Sequence, residues 1–234
     1  MSQLLQEDIE LFRPIFIENL KRFKDEQIIK ILCGVRRCGK STILESYKNE
    51  LLSLGVKSCN IIQRLYTSLE FDSDFDYRKM YHELMTLIEN AEKNQKIYLL
   101  LDEVQEVENW EKCINSLFEN QNVDIYVTGS NSKLLSSEIS TYLTGRFVQI
   151  PIFTLSFAEF IEFKNHYCPK NPNDSLDFYF DLYLKTGGFP FLAKTNHSQE
   201  ENYQIVEGIF STVVTRDISK RHNISNLEMF NRVV

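Results

Sequence analysis

Short apolar runs of strand length alternate along this chain with longer stretches in which apolar residues recur at helical spacing. Residues 1–26 carry Ile9, Phe12, Ile15, Phe16 and Leu20 and predict an N-terminal lead-in helix. The run 28–33 predicts a buried strand. A glycine-bearing turn over 34–42 follows, then a helix with Ile43, Leu44, Tyr47, Leu51 and Leu52 on its apolar face, stopped by Gly55. A second strand is predicted around 60–69, and then an amphipathic helix carrying Tyr77, Met80, Tyr81, Leu84, Leu87 and Ile88. The third strand, 97–101, runs into Asp102-Glu103. Trp110, Cys113, Ile114, Leu117 and Phe118 repeat as a helix, and 123–127 predicts a fourth strand ending in Thr128-Gly129-Ser130-Asn131. A fifth strand, 147–152, follows Gly145-Arg146.

Strands alternating with helices of this length imply an α/β fold, a parallel sheet with helices on both faces. Ligands of such sheets bind at the carboxyl ends of the strands. The first, third and fourth strands each end there in polar or glycine-rich residues. After about residue 153 the pattern turns helical. Ser156 and Glu159 have capping-box spacing ahead of Phe157, Phe160, Ile161 and Phe163. A second helix over about 175–185 ends at Gly187-Gly188 with Pro190 beyond, and a third runs over about 201–214. The expected organisation is a core over 27–153, a small helical subdomain over 154–218, and the start of a further module over 219–234. There a new stripe, Leu227, Phe230, Val233 and Val234, begins and stops on an apolar face, as if the sequence were cut partway.

Composition narrows the function. At 43% hydrophobic and 25% charged the 234 residues are too apolar for disorder. A net charge of −7 argues against a protein held on DNA or an anionic membrane mainly by bulk positive charge. No apolar run nears the roughly 18 residues of a membrane span, and no basic region precedes an apolar stretch at the N-terminus. The expectation is therefore a cytoplasmic protein without a membrane partner. Five cysteines, none in a C-x-x-C pair, speak for a reducing compartment and against a disulfide framework or structural zinc. Glycine is scarce, 8 in all, and six of these sit in three short segments where the backbone is expected to turn sharply or approach something closely.

One of those segments, Gly34 to Ser41, fits G-x-x-x-x-G-K-[ST], a loop whose backbone N–H groups and following helix N-terminus cradle phosphates. Lys40 is then expected to reach the β- and γ-phosphates and Ser41 to ligate Mg²⁺. Arg36 and Arg37 read as outward-facing charges. Cys38 reads as incidental, although an electropositive loop would make it reactive. Asp102, at the end of an apolar strand, is the candidate for holding Mg²⁺ opposite Ser41, and Glu103 for deprotonating the attacking water. Ser130 and Asn131 are either γ-phosphate sensors or ordinary turn residues. Arg146 is either a transition-state charge or a salt-bridged surface arginine.

With these pieces placed, the chain resembles the prokaryotic AAA-type ATPases whose phosphate loop reads G-[VI]-R-R-x-G-K-S, relatives of the archaeal STAND-class ATPases. The matching stretches are ILCGVRRCGKST, IYLLLDEVQEVENWE, IYVTGSNSKLL, YLTGRFVQIPIFTLSFAEF, TGGFP and TVVTRDISKR. The resemblance implies a P-loop AAA core, a helical lid, a winged helix and a C-terminal domain. It makes Gly34, Val35, Arg36, Arg37, Cys38, Gly39, Lys40, Ser41 and Thr42 the Walker A loop, and Asp102 and Glu103 the Walker B pair. Ser130 or Asn131 becomes the first sensor, Arg146 a sensing or finger arginine, and the turn from Gly187 to Pro190 lies near the nucleotide. The leading expectation is hydrolysis of ATP with Mg²⁺ as a switch or motor, with any DNA or protein partner engaged through the missing C-terminal region. The basic cluster Arg216, Lys220, Arg221 and His222 motivates an alternative, a nucleotide-dependent DNA-binding regulator. A small-molecule kinase on the same loop is the third.

Overall fold

The computed structural model describes residues 13–68, 70–71, 74–130, 143, 145–168 and 175–213. The lead-in residues 1–12, Asn131, the basic cluster at 216–222 and the stripe from 227 lie outside the described residues. Contacts divide the chain into two compact units. One comprises the residues through Gly34 with Lys40–Pro151, the other Val35–Gly39 with the residues from Ile152 on.

The first unit is built on β1 (Ile29–Gly34), β2 (Ile61–Leu65), β3 (Ile97–Asp102), β4 (Val123–Ser130) and β5 (Phe147–Pro151). The strands lie in the order β2-β3-β4-β1-β5, every neighbouring pair parallel. Helices α1 (Pro14–Arg22), α2 (Lys40–Ser53), α3 (Tyr77–Glu89) and α4 (Trp110–Asn120) cover the faces. This is the α/β parallel-sheet architecture that the alternation of elements predicts, and it fits the AAA-like core that the resemblance implies.

Strand alternation sorts the two faces by chemistry. Ile29, Ile31 and Cys33 of β1, Ile97, Leu99 and Leu101 of β3, and Val123, Ile125 and Val127 of β4 join one apolar core with Met80, Leu84 and Ile88 of α3 and Trp110, Ile114 and Leu117 of α4. The alternate residues face α2 and mix apolar Leu32 and Leu100 with polar side chains. Lys30, Asp124, Tyr126 and Tyr98 occupy the amino-terminal half, and Asp102, Thr128 and Ser130 the carboxyl-terminal edge. A second apolar layer lies there: Ile43, Leu44, Tyr47 and Leu51 of α2 are fully buried, with the Tyr47 ring 4.8 Å from that of Tyr126.

Several boundaries differ from the sequence expectation, three of them for a visible physical reason. The lead-in helix ends at Arg22, begun by Pro14 at its first position, where a missing N–H costs nothing; Asp25 then takes a left-handed conformation. β2 stops at Leu65, because Tyr66 turns inward to stack with Phe71 and Phe75. β4 continues through Ser130, because Thr128, Gly129 and Ser130 stay in register with Leu32, Cys33 and Gly34 of β1. Ser130 is therefore a strand residue, not part of a turn.

The second unit contains α5 (Phe157–Tyr167), α6 (Leu176–Thr186), α7 (Pro190–Ala193) and α8 (Gln199–Thr212). Ser156 and Glu159 form the capping box that their spacing predicts, and Ser198 with Glu201 forms another at α8. Gly187 ends α6 at φ +73°, and Gly188 lies so close to the Leu155 backbone that a Cβ would fall 2.1 Å from its carbonyl oxygen. The Leu155 N–H donates to the Gly188 carbonyl at 2.7 Å, and the Tyr183 hydroxyl to the Leu155 carbonyl at 2.9 Å. These contacts tie the end of α6 to the segment leading into α5. Among the described residues no helix is long and apolar enough to cross a membrane.

Candidate functional site

Gly34 closes β1, and the chain reverses through left-handed conformations at Arg37 (φ +64°) and Gly39 (φ +103°) before Lys40 opens α2. The Lys40 side chain folds back over this turn and donates to the Gly34 carbonyl at 3.2 Å, leaving the residue only 4% exposed. Ser41 and Thr42 follow in the first turn of α2, which carries no acidic residue. Within the loop, Val35 and Arg37 are exposed, Arg36 and Gly39 partly so. Cys38 is fully buried, so its thiol is not open to solvent.

β3 delivers Asp102 to the same carboxyl edge, with β4 lying between β3 and β1. Glu103 then takes a left-handed conformation (φ 56°, ψ 42°), and a short 3₁₀ turn, Val104–Glu106, follows. A Cβ-bearing residue held there costs on the order of 1–2 kcal/mol, and such residues cluster where a side chain must be aimed. The Glu103 Oε1 lies 3.8 Å from the Lys40 Nζ. The Gln105 amide donates to the other carboxylate oxygen, Oε2.

Thr128, to which residue type and spacing assign no role, joins the acidic pair. Its hydroxyl donates to the Asp102 carboxylate and accepts from the Glu103 N–H at 3.1 Å, all in a fully buried position. The signal for it is register: Leu101 pairs with Val127, which sets Thr128 beside Asp102. Thr128→Val keeps the shape but strips both bonds. We expect it to lower unfolding stability by about 1–3 kcal/mol in urea denaturation. A loss under about 0.5 kcal/mol would mean that these bonds do not brace the edge.

Ser130 is opposite Gly34 in the ladder, and its buried hydroxyl has no hydrogen-bond partner among the described residues. A phosphate oxygen would satisfy such a group. Together with the first turn of α2, which is free of carboxylates, it makes this edge fit a phosphate group. Among the described residues no group of three or more His, Cys, Asp or Glu side chains could hold a metal ion by itself. The donors near Lys40 suit Mg²⁺ of the kind shared among one or two carboxylates, a hydroxyl, phosphates and water.

Arg146 is not brought to this edge. It immediately precedes β5, whose first residue, Phe147, pairs with Ile29 at the start of β1. Its backbone carbonyl accepts from the Ile29 N–H at 2.8 Å. Six residues of strand, about 17 Å, separate that position from Gly34. The guanidinium instead engages Glu119 and, at 3.1 Å, Asn115, both on α4. Of the two readings, the salt-bridged surface arginine is the one that these contacts fit, and Arg146 does not reach the Lys40–Glu103 edge of its own chain.

A family model described as an AAA domain matches residues 26–161, more than half of the chain. The chain belongs to the AAA domain family. The match takes in the phosphate loop, Asp102, Glu103 and Thr128. An uncharacterized protein of Haemophilus influenzae is 36% identical over 225 residues, covering 95% of this chain and 54% of its own length. An uncharacterized protein of Methanocaldococcus jannaschii is 28% identical over 253 residues, covering 97% of this chain and 53% of its own. The chain thus spans about half the length of these relatives. Among solved structures, a Walker-type ATPase of Pyrococcus abyssi superposes with a TM-score of 0.54 at 14% identity, over 91% of this chain and 76% of that one. At that identity the likeness to this AAA domain is one of fold.

Proposed function

We propose that this AAA domain binds ATP with Mg²⁺ and hydrolyses it, the bound γ-phosphate serving as a conformational switch or the fuel of a motor. The observation that carries this reading is the meeting of the Lys40 ammonium and the Glu103 carboxylate at 3.8 Å, at one sheet edge but from segments 63 residues apart in sequence. In this reading the backbone of Gly34 to Thr42 holds the phosphates. Lys40 exchanges the Gly34 carbonyl for β- and γ-phosphate oxygens. Ser41 and Asp102 hold Mg²⁺, which supplies charge neutralisation at the phosphates. Glu103 takes a proton from the attacking water, while Ser130, with Asn131 next to it, reads the γ-phosphate.

Charge supports the metal. Two carboxylates, Asp102 and Glu103, gather with the Lys40 ammonium at this edge, all largely buried, and a divalent cation suits such an acidic pair. The relationship to the STAND class and a part for the remaining half of the longer relatives belong to this proposal as well.

The test is calorimetric titration with ATP and Mg²⁺, paired with phosphate release in the absence of any acceptor. We expect binding and acceptor-free release. Release that demands an added acceptor would favour the kinase reading. Lys40→Ala removes a buried charge-assisted contact and should weaken ATP binding roughly tenfold to a hundredfold. Binding at the parental level would remove the loop from the site.

A further inference from the structure

We propose that Gln105 is a positioning residue for the Glu103 carboxylate, setting the turnover of the site without touching nucleotide; this rests on the reading of Glu103 as the general base. Glutamate has three rotatable side-chain bonds, and a base must bring one oxygen within hydrogen-bond reach of the water it activates. The structure constrains Glu103 at both ends. Its N–H is held by the Thr128 hydroxyl at 3.1 Å, and its Oε2 accepts from the Gln105 amide. What remains is Oε1, the oxygen that lies 3.8 Å from Lys40 Nζ. Lys40 marks where the terminal phosphates belong, so the free oxygen is the one on the reacting side.

The local fold gives Gln105 this reach. The left-handed turn at Glu103 leads directly into the 3₁₀ turn Val104–Glu106, whose first residue is fully buried and whose following residue, Val107, is buried as well. Anchored at both ends, the turn directs the Gln105 side chain back onto the residue two positions before it. Gln105 is itself only 8% exposed, which shields the bond from competing water. A neutral amide suits the task, since a cation in its place would compete with Lys40 for the same carboxylate. Misplacing a reacting group by about an ångström costs on the order of a hundredfold in rate.

The experiment compares Gln105→Met, which keeps an unbranched chain of similar length without the donor, with Gln105→Glu, which turns the donor into an acceptor. Each is measured for ATP affinity and for single-turnover phosphate release, alone and combined with Glu103→Gln. We expect either variant to slow release about tenfold to a hundredfold, with ATP affinity unchanged within about twofold. In the Glu103→Gln background neither should slow it further, because the effect travels through the missing carboxylate. Parental release in both variants would overturn the proposal. So would an equal loss in both backgrounds, or an affinity loss matching the rate loss, either of which marks a merely structural residue. If Glu103→Gln itself releases phosphate at the parental rate, the base reading fails first; if it is inactive while both Gln105 variants are parental, only the role of Gln105 falls.

Discussion

Glu103→Gln is expected to bind ATP as tightly as the parent and to release phosphate about 10²- to 10⁴-fold more slowly, the span typical of losing a general base. The substitution is nearly isosteric, so the left-handed turn, the Thr128 bond to the backbone and the oxygen that accepts from Gln105 all have counterparts in the variant. What disappears is the proton-accepting oxygen facing Lys40. The formal negative charge near the proposed Mg²⁺ also falls by one, while Asp102, still braced by Thr128, keeps the metal position. Affinity and rate should therefore separate cleanly. Isothermal titration beside a continuous phosphate assay reads both. A variant that turns over at the parental rate would mean that the water is activated by another group; a variant that loses binding in proportion to rate would mean that Glu103 is part of the grip on nucleotide.

The meeting of the 34–42 loop with the acidic pair was legible in the sequence because both are fixed by residue type at fixed spacing, each attached to a strand that apolar composition makes plain. The strand-edge rule then gathers them. The same rule, carried one step further, also places Arg146: a residue just before a strand parallel to β1 lies at the edge opposite the loop, which the pattern G-R followed by a strand already implied. Strand direction thus separates the two readings that charge alone leaves open for Arg146. Thr128 and Gln105 were hidden for a different reason. Their importance comes from hydrogen-bond partners chosen by register and by a left-handed turn at a glutamate, and neither is encoded in local composition. Ser130 fell between the two cases, since its small polar neighbours look like a turn until pairing with β1 extends the strand.

The least legible feature is Lys30, a lysine inside an apolar run that reads as a buried strand. It is wholly buried and paired with Asp124, which also accepts from the Asp25 N–H and the Tyr126 hydroxyl, at 2.8 and 2.9 Å; Tyr126 in turn meets the Tyr47 hydroxyl of α2 at 2.8 Å. One carboxylate thus ties the segment after α1, two adjacent strands and the helix that follows the phosphate loop. Removing one member of a buried pair strands the other, so Asp124→Ala should cost about 3–5 kcal/mol of unfolding stability in urea. Replacing both, as Lys30→Met with Asp124→Leu, should recover only part, because the Asp25 N–H and the Tyr126 hydroxyl would still lack their acceptor. Burial already pushes the Lys30 pKa below the ordinary lysine value, with Asp124 opposing it. Without Asp124 the folded protein releases that proton at still lower pH, while the unfolded chain keeps it until near the ordinary value. The unfolded state then binds more protons across that interval, and stability rises with pH. The deficit of Asp124→Ala against the parent should accordingly shrink as the pH is raised from 7 toward 10. A deficit constant across that range, or one under about 1 kcal/mol, would show that the ammonium does not depend on Asp124 for its charge.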